Sequence, residues 1–131
     1  MELHLKTIGV VLVLLACVHI IFPRYFDWKA DLAPLSLINR QMMHVHTLFI
    51  AVAVLLMGLL CVTSAREICT TPLGRKIAFG MGCFWVLRLI IQFVGYSPKL
   101  WRGKRFETAA HICFALFWAY VSVVFLVIAC R

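Results

Sequence analysis

The sequence predicts an all-α integral membrane protein, an up-down-up-down bundle of four transmembrane helices. The 131 residues are 64% hydrophobic and only 14% charged, with a mean hydropathy of +1.00, whereas soluble domains are about half apolar. Four apolar segments have roughly the 20 residues that a helix needs to cross a bilayer. They are residues 7–22, 43–63, 76–95 and 108–129. Because they fill most of the chain, we expect one transmembrane domain over residues 1–131.

The first segment has features of a secretory signal, since Lys6 precedes an apolar run. The run continues to Phe22 without a clear small-x-small cleavage site, and three further apolar segments follow. We therefore interpret it as a retained first helix, closed by Pro23.

The second helix is preceded by a connection rich in aromatic and basic residues, such as Trp28 and Lys29, which suit the headgroup level of a membrane. Ser36 is a good N-cap, which predicts a helix from about Leu37 to about Thr63. One stripe of this helix carries small residues, including Gly58, which predicts a close approach by a neighbouring helix.

The third helix has its start marked by Thr71 and Pro72, which suit the N-cap and first helical position. Ser97 and Pro98 mark its end, and a loop with basic and aromatic residues leads into the fourth helix. Such a loop suits anionic lipid headgroups.

Polar residues in the four spans are predicted to converge in one leaflet, because alternating helices bring these ends together. They include His19, His44, Gln92, Tyr96, Glu107 and His111. Arg88 lies eight residues before Tyr96, which places it about 12 Å into the membrane at ~1.5 Å per residue.

Arg88 has no acidic residue at its own depth, and Glu107 is the only acid near the core. An arginine in the membrane costs about 2.5 to 3.5 kcal/mol even on the lenient insertion scale, and marks a candidate functional site. The sequence therefore predicts a pocket for an amphiphilic anionic ligand. Its proposed lining is Arg40, Arg88, Gln92, Tyr96, Trp101 and Arg102. Alternatives are that Glu107 bends inward, that a neighbouring subunit supplies the negative charge, or that Arg88 extends toward the headgroups.

Histidines in the same leaflet indicate a haem or a metal ion as alternative ligands. A b-type haem needs an imidazole from each of two facing helices, and His44 with His111 is the best pair, with His19 in reserve. A single ion held by the three histidines and Glu107 is the other possibility, since that ligand set suits zinc or iron. The leading prediction is a small membrane subunit in electron transfer.

Two further functions remain open. The first is an intramembrane enzyme acting on a lipid-like substrate, in which His111 or His44 is the acid or base and Glu107 orients it. The second is a scaffold or assembly subunit of a larger membrane complex. Expected partners are membrane lipids and either other membrane subunits or further copies of the chain. The net charge of +8 needs no nucleic acid to explain it, and the six cysteines form no C-x-x-C pair.

Basic residues outside the spans bear on orientation. In a four-span protein, seven lie on the side of the first and third loops: Arg24, Lys29, Arg40, Lys99, Arg102, Lys104 and Arg105. Five lie on the opposite side: Lys6, Arg66, Arg75, Lys76 and Arg131. The excess favours a cytoplasmic location for the first and third loops.

Overall fold

The computed structural model describes residues 1–131 and contains helices and no strands, which confirms the all-α class. Seven α-helices follow one another along the chain, with a 3₁₀ turn at Pro98–Leu100 between the last two. They are α1 (Glu2–Val18), α2 (Phe22–Tyr25), α3 (Trp28–Asp31), α4 (Leu37–Thr63), α5 (Ala65–Thr70), α6 (Pro72–Val94) and α7 (Arg105–Ala129).

Three of these helices are long and apolar enough to cross a membrane: α4, α6 and α7, with 27, 23 and 25 residues. Many of their large apolar side chains are exposed; Phe49 and Leu116 each retain 67% of their accessible surface. Soluble proteins rarely expose so much contiguous apolar surface. The helices are therefore those of a multi-pass membrane protein.

Helix α1 differs from the predicted first span. It begins at Glu2 instead of Thr7 and ends at Val18 instead of Phe22, so that it has 17 residues. Pro23 does not terminate it. Instead, Pro23 lies in the first turn of α2, where a missing backbone N–H has no helical partner to lose.

The starts of α4 and α6 lie where their N-cap residues predicted them. Thr71 accepts a hydrogen bond from the backbone N–H of Gly74 at 2.9 Å, and Pro72 is the first residue of α6. Ser36 does occupy the N-cap position of α4, but its side chain makes no capping hydrogen bond. The first residue of each helix was thus predictable from its N-cap residue. Only Thr71 also makes the capping hydrogen bond.

The chain divides into two compact units, of which the first described is Leu3–Ala65. Here the backbones of Gly9 in α1 and Gly58 in α4 are in close contact. A Cβ atom built on Gly9 would lie 2.7 Å from the carbonyl oxygen of Gly58, and one built on Gly58 would lie 2.8 Å from that of Gly9. The predicted close approach at Gly58 is confirmed, and small residues commonly provide such contacts between membrane helices.

The second unit consists of Met1–Glu2 and Arg66–Arg131, in which α6 packs against α7. Trp85 of α6 and Trp118 of α7 stack with ring centroids 4.8 Å apart and planes within 7° of parallel. Phe125 and Val121 are fully buried on α7. This aromatic and aliphatic core fixes the two helices whose polar side chains form the candidate site.

All six cysteines are free thiols. Cys61 is fully buried in α4, whereas Cys69 lies in the short helix α5, outside the spans. Burial raises the pKa of the Cys69 thiol above its ordinary value, which disfavours the reactive thiolate at neutral pH.

Candidate ligand-binding site between α6 and α7

A polar and aromatic cluster joins α6 to α7. Arg88 and Gln92 lie one turn apart on α6, a spacing that places both side chains on the same face. His111 and Trp118 lie on α7, while Tyr96 and Trp101 belong to the connection between the helices. We call these six residues the Arg88 cluster.

Arg88 is half-buried, and each of its partners is uncharged. Its Nη1 donates a hydrogen bond to Oε1 of Gln92 at 3.0 Å. Its guanidinium carbon lies 5.7 Å from the centroid of the Tyr96 ring and 5.2 Å from that of Trp118. One charge-assisted hydrogen bond and two cation–π contacts, each worth about 0.5 to 2 kcal/mol, offset the cost of placing the cation in the membrane. They do not neutralise its charge.

Gln92 is buried and connects Arg88 to His111. Its Nε2 lies 2.9 Å from Nδ1 of His111. Because arginine can only donate hydrogen bonds, the amide oxygen of Gln92 must face Arg88 and its NH₂ group must face His111. Nδ1 of His111 is then the acceptor, and the neutral imidazole carries its proton on Nε2.

The His111 ring is held by aromatic neighbours. Trp101 stacks on it with centroids 4.4 Å apart and planes 14° from parallel, and Phe93 meets its edge at 5.5 Å. The hydroxyl of Thr108 donates a hydrogen bond to the carbonyl oxygen of Trp101, which ties the connection to the first turn of α7. The imidazole therefore has one fixed orientation, and its Nε2 is buried without a hydrogen-bond partner.

Buried donors without acceptors are concentrated in this unit. The buried side-chain atoms that lack a hydrogen-bond partner are Nε1 of Trp85, Nε1 of Trp101, Nε2 of His111 and Nε1 of Trp118. The indole nitrogens can only donate, and the Gln92 bond makes the imidazole nitrogen a donor as well. Most buried polar groups in proteins are satisfied. A surplus of N–H groups beside an arginine favours a ligand that presents oxygen acceptors.

A shallow, open cavity of about 440 Å³, whose lining includes Lys104 and Arg105, lies at the start of α7. Its lining combines two basic residues, one hydroxyl and apolar side chains: Gly103, Lys104, Arg105, Thr108, Ala109 and Ile112. Thr108 also contacts the Trp101 carbonyl, so the cavity adjoins the connection that covers His111. Basic groups near an apolar surface suit the headgroup region of anionic lipids.

The remaining predicted site residues make the following contacts. In the unit Leu3–Ala65, His19 lies just beyond α1, and its Nδ1 is 2.8 Å from the carbonyl oxygen of Leu15, so the ring satisfies a carbonyl at the end of the helix. His44 is exposed and meets the Trp28 ring at a centroid distance of 5.3 Å, while Arg40 is half-buried.

Arg102 and Glu107 are both exposed. Within the unit that contains α6 and α7, the structure thus brings together the predicted site residues Arg88, Gln92, Tyr96, Trp101 and His111. Glu107 is not among the partners of Arg88.

The histidine chemistry bears on the haem and metal alternatives. The structure has no group of three or more His, Cys, Asp or Glu side chains placed to hold a metal ion. A ligating histidine offers a lone pair to the metal and usually donates its other N–H to a neighbouring acceptor. His111 has the reverse arrangement, since Nδ1 accepts from Gln92 and Nε2 carries the proton. The hydrogen-bond pattern of His111 therefore suits an acceptor oxygen better than a metal.

Several aromatic contacts of the cluster were not predicted, among them those of Arg88 with Trp118 and of His111 with Phe93. Trp118 and Trp85 lie on the same helix faces as His111 and Arg88, at spacings of seven and three residues, so the pattern placed them in the walls of the same pocket without predicting these contacts. The cation–π contact of Arg88 with Trp118 could have been anticipated from that shared level. The Phe93 contact could not, because Phe93 lies next to Gln92 in sequence and its ring direction depends on packing.

The fold and the site define a multi-pass membrane protein with a donor-rich polar cluster between two of its spanning helices. No protein family, characterised protein or solved structure matches the chain.

Proposed function

We propose that the Arg88 cluster binds the anionic group of a membrane amphiphile, a phosphate or a carboxylate. The observation that carries the proposal is the surroundings of Arg88: a permanent cation within a spanning helix whose partners are all uncharged. Most of the N–H donors of its guanidinium remain available. An anion is the ligand that this planar, multiply donating group binds best. The electron-transfer role that the sequence predicted stays a prediction.

The wider architecture supports a lipid as the source of that anion. The spanning helices expose apolar side chains to the bilayer, and the basic cavity lies at the end of α7 where headgroups are found. A lipid thus reaches the cluster from the membrane, with its acyl chains still in contact with the exposed apolar surface. A soluble anion has no comparable apolar contact.

Arg88→Leu is expected to remove preferential binding of anionic lipid, reducing it by about tenfold or more, because the substitution deletes the one charge in the site. The measurement is native mass spectrometry of purified protein equilibrated with phosphatidylglycerol and phosphatidylcholine of the same chain length. Arg88→Lys keeps the charge but loses the planar fork, so an intermediate loss is expected.

The matched control is Arg66→Leu, which removes an exposed arginine from α5 outside the cluster. It should leave the lipid preference unchanged. Competition with glycerol phosphate distinguishes a lipid from a free phosphate as the ligand. If the ligand is a lipid, glycerol phosphate at equal concentration should not displace phosphatidylglycerol. An Arg88→Leu protein that folds and retains full preference for phosphatidylglycerol would show that Arg88 only extends toward the headgroups.

We also propose that α1 is a fourth span, which gives the up-down-up-down bundle. Its 17 residues extend about 26 Å at ~1.5 Å per residue, close to the ~30 Å hydrocarbon core. The face that carries Leu5 and Leu12 is buried, and the other face is apolar too, with Val10 and Leu14 exposed. An interfacial helix would have a charged face instead.

The fourth span predicts that both termini lie on the same side of the membrane, since an even number of crossings returns the chain to its starting side. Biotin-acceptor tags at the two termini, labelled by a ligase on one side of sealed vesicles, should be modified together. The positive-inside bias further predicts that tags in the first and third loops are labelled from the cytoplasmic side. Termini labelled from opposite sides would leave α4, α6 and α7 as the only crossings.

A further inference from the structure

One edge of the Arg88 guanidinium is free to bind a ligand. Nη1 donates to Gln92, and the Arg88 side chain makes no other hydrogen bond. Nε and Nη2 are not among the buried side-chain atoms that lack a partner, so they remain accessible in a residue that is only half-buried. Their N–H groups point in the same direction from the planar guanidinium. They can donate two parallel hydrogen bonds to the two oxygens of one anionic group.

The neighbours of Arg88 fix the level of its guanidinium in the membrane. Helix α6 has 23 residues and ends at Val94. It is about 34 Å long at ~1.5 Å per residue, so it extends ~2 Å beyond each edge of a ~30 Å hydrocarbon core on which it is centred. The backbone of Arg88 lies six residues before this end, or about 7 Å inside the core. The side chain extends back toward Gln92 and Tyr96, which are nearer the surface. The guanidinium therefore lies a few ångströms inside the edge of the core.

The phosphate of a phospholipid lies on the far side of that edge. The headgroup regions add about 5 to 7 Å to each side of the core, and the glycerol separates the phosphate from the acyl chains. To reach Arg88, a phospholipid must draw its glycerol and polar headgroup into the core, at the cost of their hydration. The carboxylate of a fatty acid is the end of the chain itself. It can therefore lie at the level of Arg88 while no other polar group leaves the water.

Charge and apolar surface also match a fatty acid. Arg88 carries the only permanent charge in the Arg88 cluster, and its contacts are with the uncharged Gln92, Tyr96 and Trp118. One carboxylate is enough to neutralise it. One turn further into the membrane on the same face of α6, Phe84 is 46% exposed. An acyl chain that extends from the carboxylate toward the membrane centre can contact this ring and remain within the hydrocarbon.

We propose that Arg88 binds the carboxylate of a long-chain fatty acid, whose two oxygens accept hydrogen bonds from Nε and Nη2. The inference rests on the proposed function and narrows its anionic group from a phosphate or a carboxylate to a carboxylate. Phosphatidylglycerol binds the same residue more weakly, because its phosphate must enter the hydrocarbon core.

The test compares oleate with methyl oleate and with dioleoyl phosphatidylglycerol, which share one acyl chain. The methyl ester keeps the carbonyl but lacks the charge. Native mass spectrometry of the wild-type protein, equilibrated at mildly alkaline pH so that oleate is ionised, should show about tenfold tighter retention of oleate than of either other lipid. Arg88→Leu should lower the retention of oleate to that of methyl oleate, and Arg88→Lys should give an intermediate loss. Arg66→Leu, the exposed control, should keep the wild-type discrimination.

Each other outcome overturns the inference in a recognisable way. Equal retention of oleate and methyl oleate by the wild-type protein would remove the carboxylate from the site, and this measurement needs no variant to fold. Phosphatidylglycerol retained as tightly as oleate, with both lost in Arg88→Leu, would assign a phosphate to Arg88 and leave the proposed function in place. Unchanged retention of oleate by a folded Arg88→Leu protein would place the carboxylate elsewhere. A wild-type protein that prefers neither oleate over methyl oleate nor phosphatidylglycerol over phosphatidylcholine would overturn the proposed function itself.

Discussion

Gly58→Ala is expected to lower the free energy of unfolding by about 1 to 3 kcal/mol, the usual cost of forcing added volume into a well-packed contact. The new Cβ atom would lie 2.8 Å from the carbonyl oxygen of Gly9, 2.9 Å from Cγ2 of Val13 and 3.0 Å from the backbone nitrogen of Val13. Backbone atoms cannot rotate away as a flexible side chain can. Helices α1 and α4 must therefore separate, and the van der Waals contact that holds membrane helices together is lost.

Cys61 provides the measurement for this variant. It is fully buried, and its Cβ atom lies 3.0 Å from the position that a Cβ on Gly9 would occupy. In a protein that keeps Cys61 as its single cysteine, the rate of maleimide labelling across an SDS titration reports opening of the α1–α4 contact. Gly58→Ala should shift the transition to lower SDS.

Gly80→Ala is the matched control, with an expected effect of opposite sign. Gly80 is exposed in α6, and a Cβ atom there would meet nothing within 4 Å. Replacing a helical glycine by alanine without a clash stabilises a helix by up to about 1 kcal/mol. The unfolding of Gly80→Ala in SDS is followed by the far-ultraviolet circular dichroism of the whole chain. The same signal is recorded for Gly58→Ala, so that the two variants can be compared. Equal destabilisation by the two substitutions would contradict a role for the Gly9–Gly58 contact.

Local chemistry explains which parts of the fold could be predicted. Long apolar segments specify α4, α6 and α7, because few other structures satisfy so many backbone groups away from water. The two-residue sequence Thr71–Pro72 is enough to specify where α6 starts, because it supplies the N-cap and the first helical residue. The end of α1 was predicted too late, because the apolar pattern continues through Ile20 and Ile21 although the backbone turns there. Hydropathy reports the preferred solvent of a residue and not the dihedral angles of its backbone.

The same distinction applies to the candidate site, where periodic patterns predict some features and tertiary packing decides the others. The joint position of Arg88 and Gln92 follows from the helical repeat, and their level beside His111 follows from antiparallel packing. The return of Trp101 onto the imidazole depends on how the connection between α6 and α7 folds, and no periodic pattern governs a connection. The tautomer of His111 depends on three side chains at once, so it becomes evident only when the two hydrogen bonds of Gln92 are known together.

Trp118→Ala is expected to cost about 3 to 5 kcal/mol of stability, as for other buried tryptophans truncated to alanine. Its side chain is 3% exposed and lies between Trp85, at a centroid distance of 4.8 Å, and Phe114, at 5.9 Å. Truncation leaves a cavity that these rings cannot fill without losing their stacking. The midpoint of unfolding in SDS, followed by circular dichroism, measures the loss.

A second readout separates the role of Trp118 in packing from its role in the Arg88 cluster. The ring lies 5.2 Å from the guanidinium carbon of Arg88, so its loss frees the cation to reorient, and retention of phosphatidylglycerol by the folded protein should fall. Trp85→Ala is the matched comparison, since Trp85 is 2% exposed and equally part of the stack, whereas the cation–π contacts of Arg88 are with Tyr96 and Trp118. It should lower stability by a similar amount while the folded fraction keeps its lipid preference.

If both variants lost lipid in proportion to their stability alone, the ring of Trp118 would serve the fold and not the position of Arg88. A selective loss in Trp118→Ala, restored by Trp118→Phe, would instead show that an aromatic face at this level holds the guanidinium where an anion can reach it.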